Sequence, residues 1–328
     1  MDQKTLRQQI IDEAKKYCVD YVGFGSIERF KDEPVLKIFD KTKTVICLGF
    51  RVLRGSFRGI EEGISYHQYC TTGVECIEET MMPMALLKLS GLLEDAGYLA
   101  VPQKQNQLIT ADPEDTNPEI TYEDIYRGVP QETQMNYAKS AVLCGIGEIG
   151  FSGQVLTDEN GPFNRFCFIL TDAELEETPL AQPHLCDGCK ECVKACPGKA
   201  ISADGKLDSW RCAVYYNGAN GTKNPFMPPD AFLDFDNRLD IIHGTAEFDE
   251  EGAKEILANI YFYPPAKHYY RTSICGRACD RACYIHLEEK GLLTRKFHKK
   301  FREKEDWKLS DKQFETLKRE EEWEFTKQ

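Results

Sequence analysis

The sequence predicts an α+β protein in two parts, an α/β domain followed by a smaller cysteine-rich module. Three observations carry this. Apolar runs of strand and helix period alternate up to about residue 175. The alternation then stops. A Cys-x-x-Cys-x-x-Cys-x-x-x-Cys-Pro run follows at Cys186, Cys189, Cys192, Cys196 and Pro197. With 328 residues and 41% hydrophobic content, the chain can bury a core in two modest domains or in one large domain with an insert.

The elements follow in order. Thr5–Tyr17 has apolar residues at helical spacing and leads into Val19–Gly25 (VDYVGFG), a strand-like run closed by glycine. Pro34–Asp40 reads as a short helix and turn. Thr44–Phe50 (TVICLGF), rich in β-branched residues, reads as a buried strand. Met81–Gly97 is apolar on one face and ends on glycine, as a helix does. From Pro102 to Pro130 the chain is polar and proline-spaced, which predicts a surface excursion: a site border, a lid or a dimer contact. Tyr137–Cys144 predicts a helix running into the glycine-rich CGIGEIGFSG, with a hairpin after it and a buried strand at Phe166–Thr171. From Arg295 onward the chain is densely charged, as expected of a solvated helical tail. These signals divide the chain into residues 1–175, a module at 176–290 with an insert at 217–270, and a charged helical tail at 291–328.

Charge and segment composition narrow the partners. There are 54 acidic against 41 basic residues, a net charge of -13. Such a surface repels phosphate backbones and anionic lipid, so nucleic acid and membrane are disfavoured and a basic redox protein is better matched. No apolar run is long enough to span a bilayer. The opening MDQKTLRQQIIDEAKKY has neither an apolar secretory core nor a twin-arginine pair. The expected location is the cytoplasm, where fourteen cysteines mean thiolate ligands rather than disulfides.

The run from Cys186 to Pro197 has the spacing of bacterial ferredoxins. Three thiolates on a tight turn suit three irons of one cubane, while the fourth, beyond a short helix, points to a second cluster. Gly188 lets the chain approach the inorganic sulfides, and Pro197 ends the run. A zinc site is the alternative, but it needs only four ligands and no such run. A second set consists of Cys212 and the evenly spaced Cys275, Cys279 and Cys283. The swapped arrangement assigns Cys186, Cys189, Cys192 and Cys283 to one 4Fe–4S cluster, and Cys196, Cys212, Cys275 and Cys279 to another. The alternative is a single cluster with the later cysteines as buried thiols. Cys47 and Cys167 read as small core residues, and Cys18, Cys70, Cys76 and Cys144 have no partner at motif spacing.

Gly145-x-Gly147-x-x-Gly150 matches a dinucleotide fingerprint on paper, but a helix precedes it and a hairpin follows, the wrong context for that motif. The order of pieces has a better match: VDYVGFG, TVICLGF, SYHQY with a helix and AGY, GIGEIGFSGQVLTDENGP, the cysteine run, and WRC at Cys212. From about Leu6 to Leu287 this succession resembles the corrinoid-dependent reductase family, which contains the reductive dehalogenases and epoxyqueuosine reductase. The resemblance implies a nitroreductase-like domain holding a base-off corrinoid, beside a ferredoxin-like module with two clusters. The expected partners are a ferredoxin or flavodoxin as electron donor and a small organic substrate, and a homodimer is a further expectation. Gly145, Gly147, Gly150 and Gly153 would let backbone approach the corrin ring, with His67 facing it. Arg165 matches an arginine near the substrate, and Tyr137 and Tyr126 are candidates for the catalytic tyrosine. No aspartate stands near Gln131, where epoxyqueuosine reductases carry their proton donor; the adjacent Glu132 is the candidate acid. The last cysteine group also departs from the family pattern, with three-residue gaps on both sides and Tyr284 where the family has proline. A non-catalytic electron carrier, with a degenerate pocket domain, is the rival reading.

Overall fold

A computed structural model describes residues 2–104, 135–260 and 273–309. The chain forms two compact units, each assembled from separate stretches. The first takes Met1–Phe50, Glu78–Gly147 and Arg165–Ala181, and the second takes Arg51–Ile77, Glu148–Asn164 and Gln182–Gln328. Both units mix helix and strand.

The first unit is built on a four-stranded sheet whose strands lie in the order Tyr21–Ser26, Thr44–Arg51, Asn164–Thr171, Ala100–Gln103. Helix α1 (Gln3–Lys15) is capped at its start by the Asp2 side chain and buries Leu6, Ile10 and Ala14, a 3.6-residue stripe. Strands β1 (Tyr21–Ser26) and β2 (Thr44–Arg51) pair antiparallel, with Tyr21 opposite Gly49 and Ser26 opposite Thr44. Between them lies the short α2 (Val35–Ile38). β2 is buried on both faces almost to its end, as its unbroken apolar run requires. Helix α5 (Met82–Asp95) turns Ala85, Leu86, Leu89 and Leu93 inward and packs on α1 and β3. β3 (Ala100–Gln103) lies at the sheet edge, antiparallel to β6 (Asn164–Thr171). α6 (Tyr137–Leu143) follows, capped by Asn136.

The second unit begins with α3 (Arg58–Glu62) and α4 (His67–Cys70), from which an 11-residue π-helix runs on through Thr71–Met81. The glycine-rich segment forms a hairpin of β4 (Glu148–Ile149) and β5 (Val155–Leu156). α7 (Glu191–Ala195) carries part of the cysteine run, and α8 (Ser209–Tyr216) starts on the Asp208 cap. α9 (Arg238–His243) and α10 (Glu250–Ala258) then share a core of their own with α8, centred on Val214, Tyr215, Ile241, Ile242 and Ile256. α11 (Ala278–Glu289) packs on α7. Beside it Phe57, Phe163, Tyr284 and Phe301 form a buried aromatic cluster, with Phe163 and Tyr284 stacked at 4.5 Å. Residues 291–309 form no helix, so this part of the charged tail runs as anchored irregular chain, and 310–328 lie outside the described residues. No helix among the described residues is long and apolar enough to cross a membrane.

Candidate metal centre

All eight cysteines of the two sequence groups lie in the second unit. The loop before α7 takes left-handed backbone at Gly188 (φ +73°) and at Lys190 (φ +62°), which turns the chain tightly between Cys186 and Cys192 and leaves the Cys186 and Cys189 thiols near that of Cys192. Nothing lies within 4 Å of where a Gly188 Cβ would stand, so space adjoins these thiols. α7 carries Cys192 inward, and Cys196 follows as its extended C-terminal cap. A second left-handed turn at Gly276 (φ +52°) and Arg277 (φ +53°) precedes α11, which carries Cys279 and Cys283 one turn apart.

The electrostatics sort the thiols into two groups. Burial pushes the Cys283 thiol up, and Asp280 and the neighbouring Cys192, Cys186 and Cys189 push it further. Burial likewise raises Cys192, with Cys189 and Cys186 adding. Cys212 is pushed up to about 11 by burial and by Cys275, with Cys196 adding and Arg277 opposing. Cys279 is raised by burial, Asp280, Cys275 and Cys196, again against Arg277. Thiols crowded this way resist ionisation because each new charge is desolvated and faces like charges. Bound iron reverses that logic by supplying the compensating positive charge. Two quartets of thiols are therefore a donor set that fits two 4Fe–4S clusters.

The surrounding residues hold the quartets in place. The backbone N–H groups of His184, Leu185 and Cys186 donate to the Glu148 carboxylate at 2.5, 3.0 and 2.7 Å, and the Phe151 N–H donates to Cys186 Sγ at 3.3 Å. The Ala200 N–H donates to Cys196 Sγ at 3.2 Å. Asp187, between the first two cysteines of the run, accepts from the Cys189 N–H at 3.1 Å and pairs with His286 of α11 at 2.9 Å. The His286 ring holds the Asp187 carboxyl below its ordinary range. Asp187, Cys189 and His286 place ligand atoms within 4.8 Å of one another, but Cys189 already belongs to the first quartet. Behind the second quartet, Arg281 donates to the Cys275 carbonyl at 3.1 Å and the Gly276 carbonyl at 2.9 Å, and pairs with buried Glu61 and with Asp306.

The remaining predicted site residues fall into several settings. Tyr137 sits at the start of α6 with its ring edge-on to Phe168, at 5.1 Å. Arg165 pairs with buried Glu78 at 3.5 Å. Gly145 has φ +83°, and a Cβ there would lie 2.6 Å from the Pro179 carbonyl oxygen and 2.8 Å from Thr178, so the chain's own packing accounts for this glycine. At Gly150 the nearest neighbour is Leu156, at 3.0 Å. Gly147 (φ +62°) and Gly153 (φ +78°) both need left-handed backbone, and open space adjoins Gly153. His67 is exposed at the start of α4. Tyr137, Arg165, Gly145 and Gly147 belong to the first unit, and His67, Gly150 and Gly153 to the second. Glu132, Gln131, Tyr126 and the aromatic Tyr261–Tyr270 lie outside the described residues. Among the other cysteines, Cys47, Cys144 and Cys167 are buried in the first unit, with burial raising each thiol. Cys70, buried in the second, accepts the Ser273 N–H at 3.0 Å.

Comparison with known proteins agrees with this chemistry. The family model described as a 4Fe-4S binding domain matches residues 182–202. The chain is similar over part of its length to epoxyqueuosine reductases and to reductive dehalogenases. It is 32% identical over 81 residues to the epoxyqueuosine reductase of Lactococcus garvieae, covering 25% of this chain and 23% of that one. It is 38% identical over 65 residues to a tetrachloroethene reductive dehalogenase of Desulfitobacterium hafniense, covering 19% and 12%. Each match thus spans under a quarter of the curated relative. Solved structures align loosely: an epoxyqueuosine reductase from Streptococcus thermophilus has TM-score 0.44 at 15% identity, over 84% of this chain and 79% of that one. A catabolic reductive dehalogenase bound to 3-bromo-4-hydroxybenzoic acid has TM-score 0.48 at 14% identity, over 79% and 34%.

Proposed function

We propose that the chain is an iron–sulfur reductase that passes electrons through two 4Fe–4S clusters to a bound corrinoid, which reduces a small organic substrate. Cys186, Cys189, Cys192 and Cys283 would hold one cluster, and Cys196, Cys212, Cys275 and Cys279 the other. The observation that carries the reading is that the Cys283 thiol neighbours Cys186, Cys189 and Cys192, while the Cys212 and Cys279 thiols neighbour Cys196 and Cys275, all within one unit. Such clusters reach the low potentials that corrinoid reduction requires. The donor class that suits such clusters is a one-electron carrier such as ferredoxin or flavodoxin, and the cytoplasm is the compartment that keeps these thiols reduced.

A corrinoid would supply low-potential cobalt chemistry, and the chain's contribution would be to bind it, exclude water and orient substrate. The left-handed turn at Gly153, with open space beside it, is a place where backbone can meet a flat ring. Gly145 and Gly150 are filled by the chain itself, and Arg165 is engaged by Glu78. Those three facts favour the second reading, an electron carrier whose pocket domain binds no corrinoid. Anaerobic reconstitution of the full chain with iron, sulfide and hydroxocobalamin separates the two. The first reading expects one base-off corrinoid per chain beside the cluster absorbance; clusters with no retained corrinoid would leave the carrier.

A further inference from the structure

The glycine-rich segment holds a device that its glycines do not announce. Glu148 lies between Gly147 and Ile149, yet its side chain is only 6% exposed. That carboxylate takes three consecutive backbone N–H groups, from His184, Leu185 and Cys186, at 2.5 to 3.0 Å. Three donors converging on one acidic group fix the arm that enters the cysteine run. Two residues beyond β4, the Phe151 N–H points at Cys186 Sγ from 3.3 Å. The Phe151 ring in turn sits under Lys190 Nζ at 5.3 Å, and Lys190 is the left-handed residue that closes the same cysteine loop. The hairpin thus grips the loop at both ends of its first turn.

We propose that Glu148 and the Phe151 amide form a clasp that positions Cys186 and sets the reduction potential of the cluster Cys186 ligates. The inference rests on the reading of Cys186 as a cluster ligand and assigns the glycine-rich segment a task toward iron and sulfur. Its two parts act in opposite senses. A cluster gains negative charge on reduction, so a nearby buried carboxylate opposes reduction and lowers the potential. An N–H directed at the thiolate sulfur favours the reduced state and raises it. Cys186 is the exposed member of its quartet, where bulk water would otherwise vary the hydrogen bonding. The clasp replaces that variable shell with fixed dipoles. Glu148 is a positioning residue: it touches backbone and acts on iron only through Cys186.

The test uses the full chain, reconstituted anaerobically with iron and sulfide, and a redox titration followed by electron paramagnetic resonance. In Glu148→Gln, which keeps one acceptor oxygen and removes the charge, one cluster's midpoint should move upward while the other's stays at its wild-type value. Unchanged midpoints for both clusters, or equal shifts in both, would overturn the proposal. If the variant takes up no iron, the decision passes to wild-type protein grown with 15N-phenylalanine. Pulsed resonance of the reduced state should then resolve a 15N coupling from the Phe151 amide, and its absence would overturn the clasp. Wild-type protein that binds no cluster at all would instead defeat the reading of Cys186 as a ligand, a separate and recognisable result.

Discussion

Glu61 is 4% exposed, and Arg281, its partner, is 1% exposed. The carboxylate also accepts from Arg302 at 2.7 and 2.8 Å, so one acidic side chain answers two guanidinium groups inside the protein. Arg281 stands between Cys279 and Cys283 in sequence and ties down the carbonyls of Cys275 and Gly276. A buried pair of this kind adds little against an apolar replacement, but breaking it strands a charge at a cost of about 3–5 kcal/mol. Glu61→Gln should therefore lower stability by roughly 3 kcal/mol and loosen the turn that presents Cys275. Thermal unfolding checks the first effect, and iron content after reconstitution checks the second; a variant with wild-type melting and full iron would contradict the assigned role. None of this was legible from sequence. Glu61 and Arg281 carry charges, which by default belong on the surface, and 220 residues separate them. Glu148 was hidden differently, inside a motif whose glycines drew the reading toward a ring. The cysteines were legible because their spacing is itself the chemical requirement.

The helices and central strands follow from periodicity, and their bounds come close: Thr44–Phe50 extends to Thr44–Arg51, and Met81–Gly97 trims to Met82–Asp95. β3 gave no such signal. Four residues with Pro102 among them read as the start of a polar excursion, and only the sheet edge tolerates a proline there. The π-helix at Thr71–Met81 was equally silent, since its hydrogen bonds shift by one residue without changing the residue types. The glycine-rich element allows a direct comparison of two positions. Gly145→Ala puts a Cβ into the Pro179 carbonyl as well as into left-handed backbone, and should cost at least about 2 kcal/mol with or without ligand. Gly153→Ala meets no neighbour, and should cost only about 1 kcal/mol in the protein without corrinoid. If backbone at Gly153 lies against a corrin ring, the same change should also weaken corrinoid retention. Melting temperatures with and without hydroxocobalamin read both effects, and equal losses at the two glycines would contradict the packing account.

At the scale of the molecule, the chain passes repeatedly between its two units, which sequence periodicity cannot register because each stretch carries only its own period. Strands and helices were legible; their sharing was not. The charge balance of -13 bears on partners rather than on fold. Around the metal centre the two cysteine groups interleave: Cys283 joins the first three cysteines of the run, and Cys196 joins the later ones. If these thiols hold the two proposed clusters, that exchange would tie α7 to α11, and losing either cluster should loosen both ends of the module. The most direct test of the account is the iron and acid-labile sulfide content of the anaerobically reconstituted full chain. Two cubanes require about eight irons and eight sulfides per chain. About four of each, or tightly bound zinc in place of iron, would contradict it.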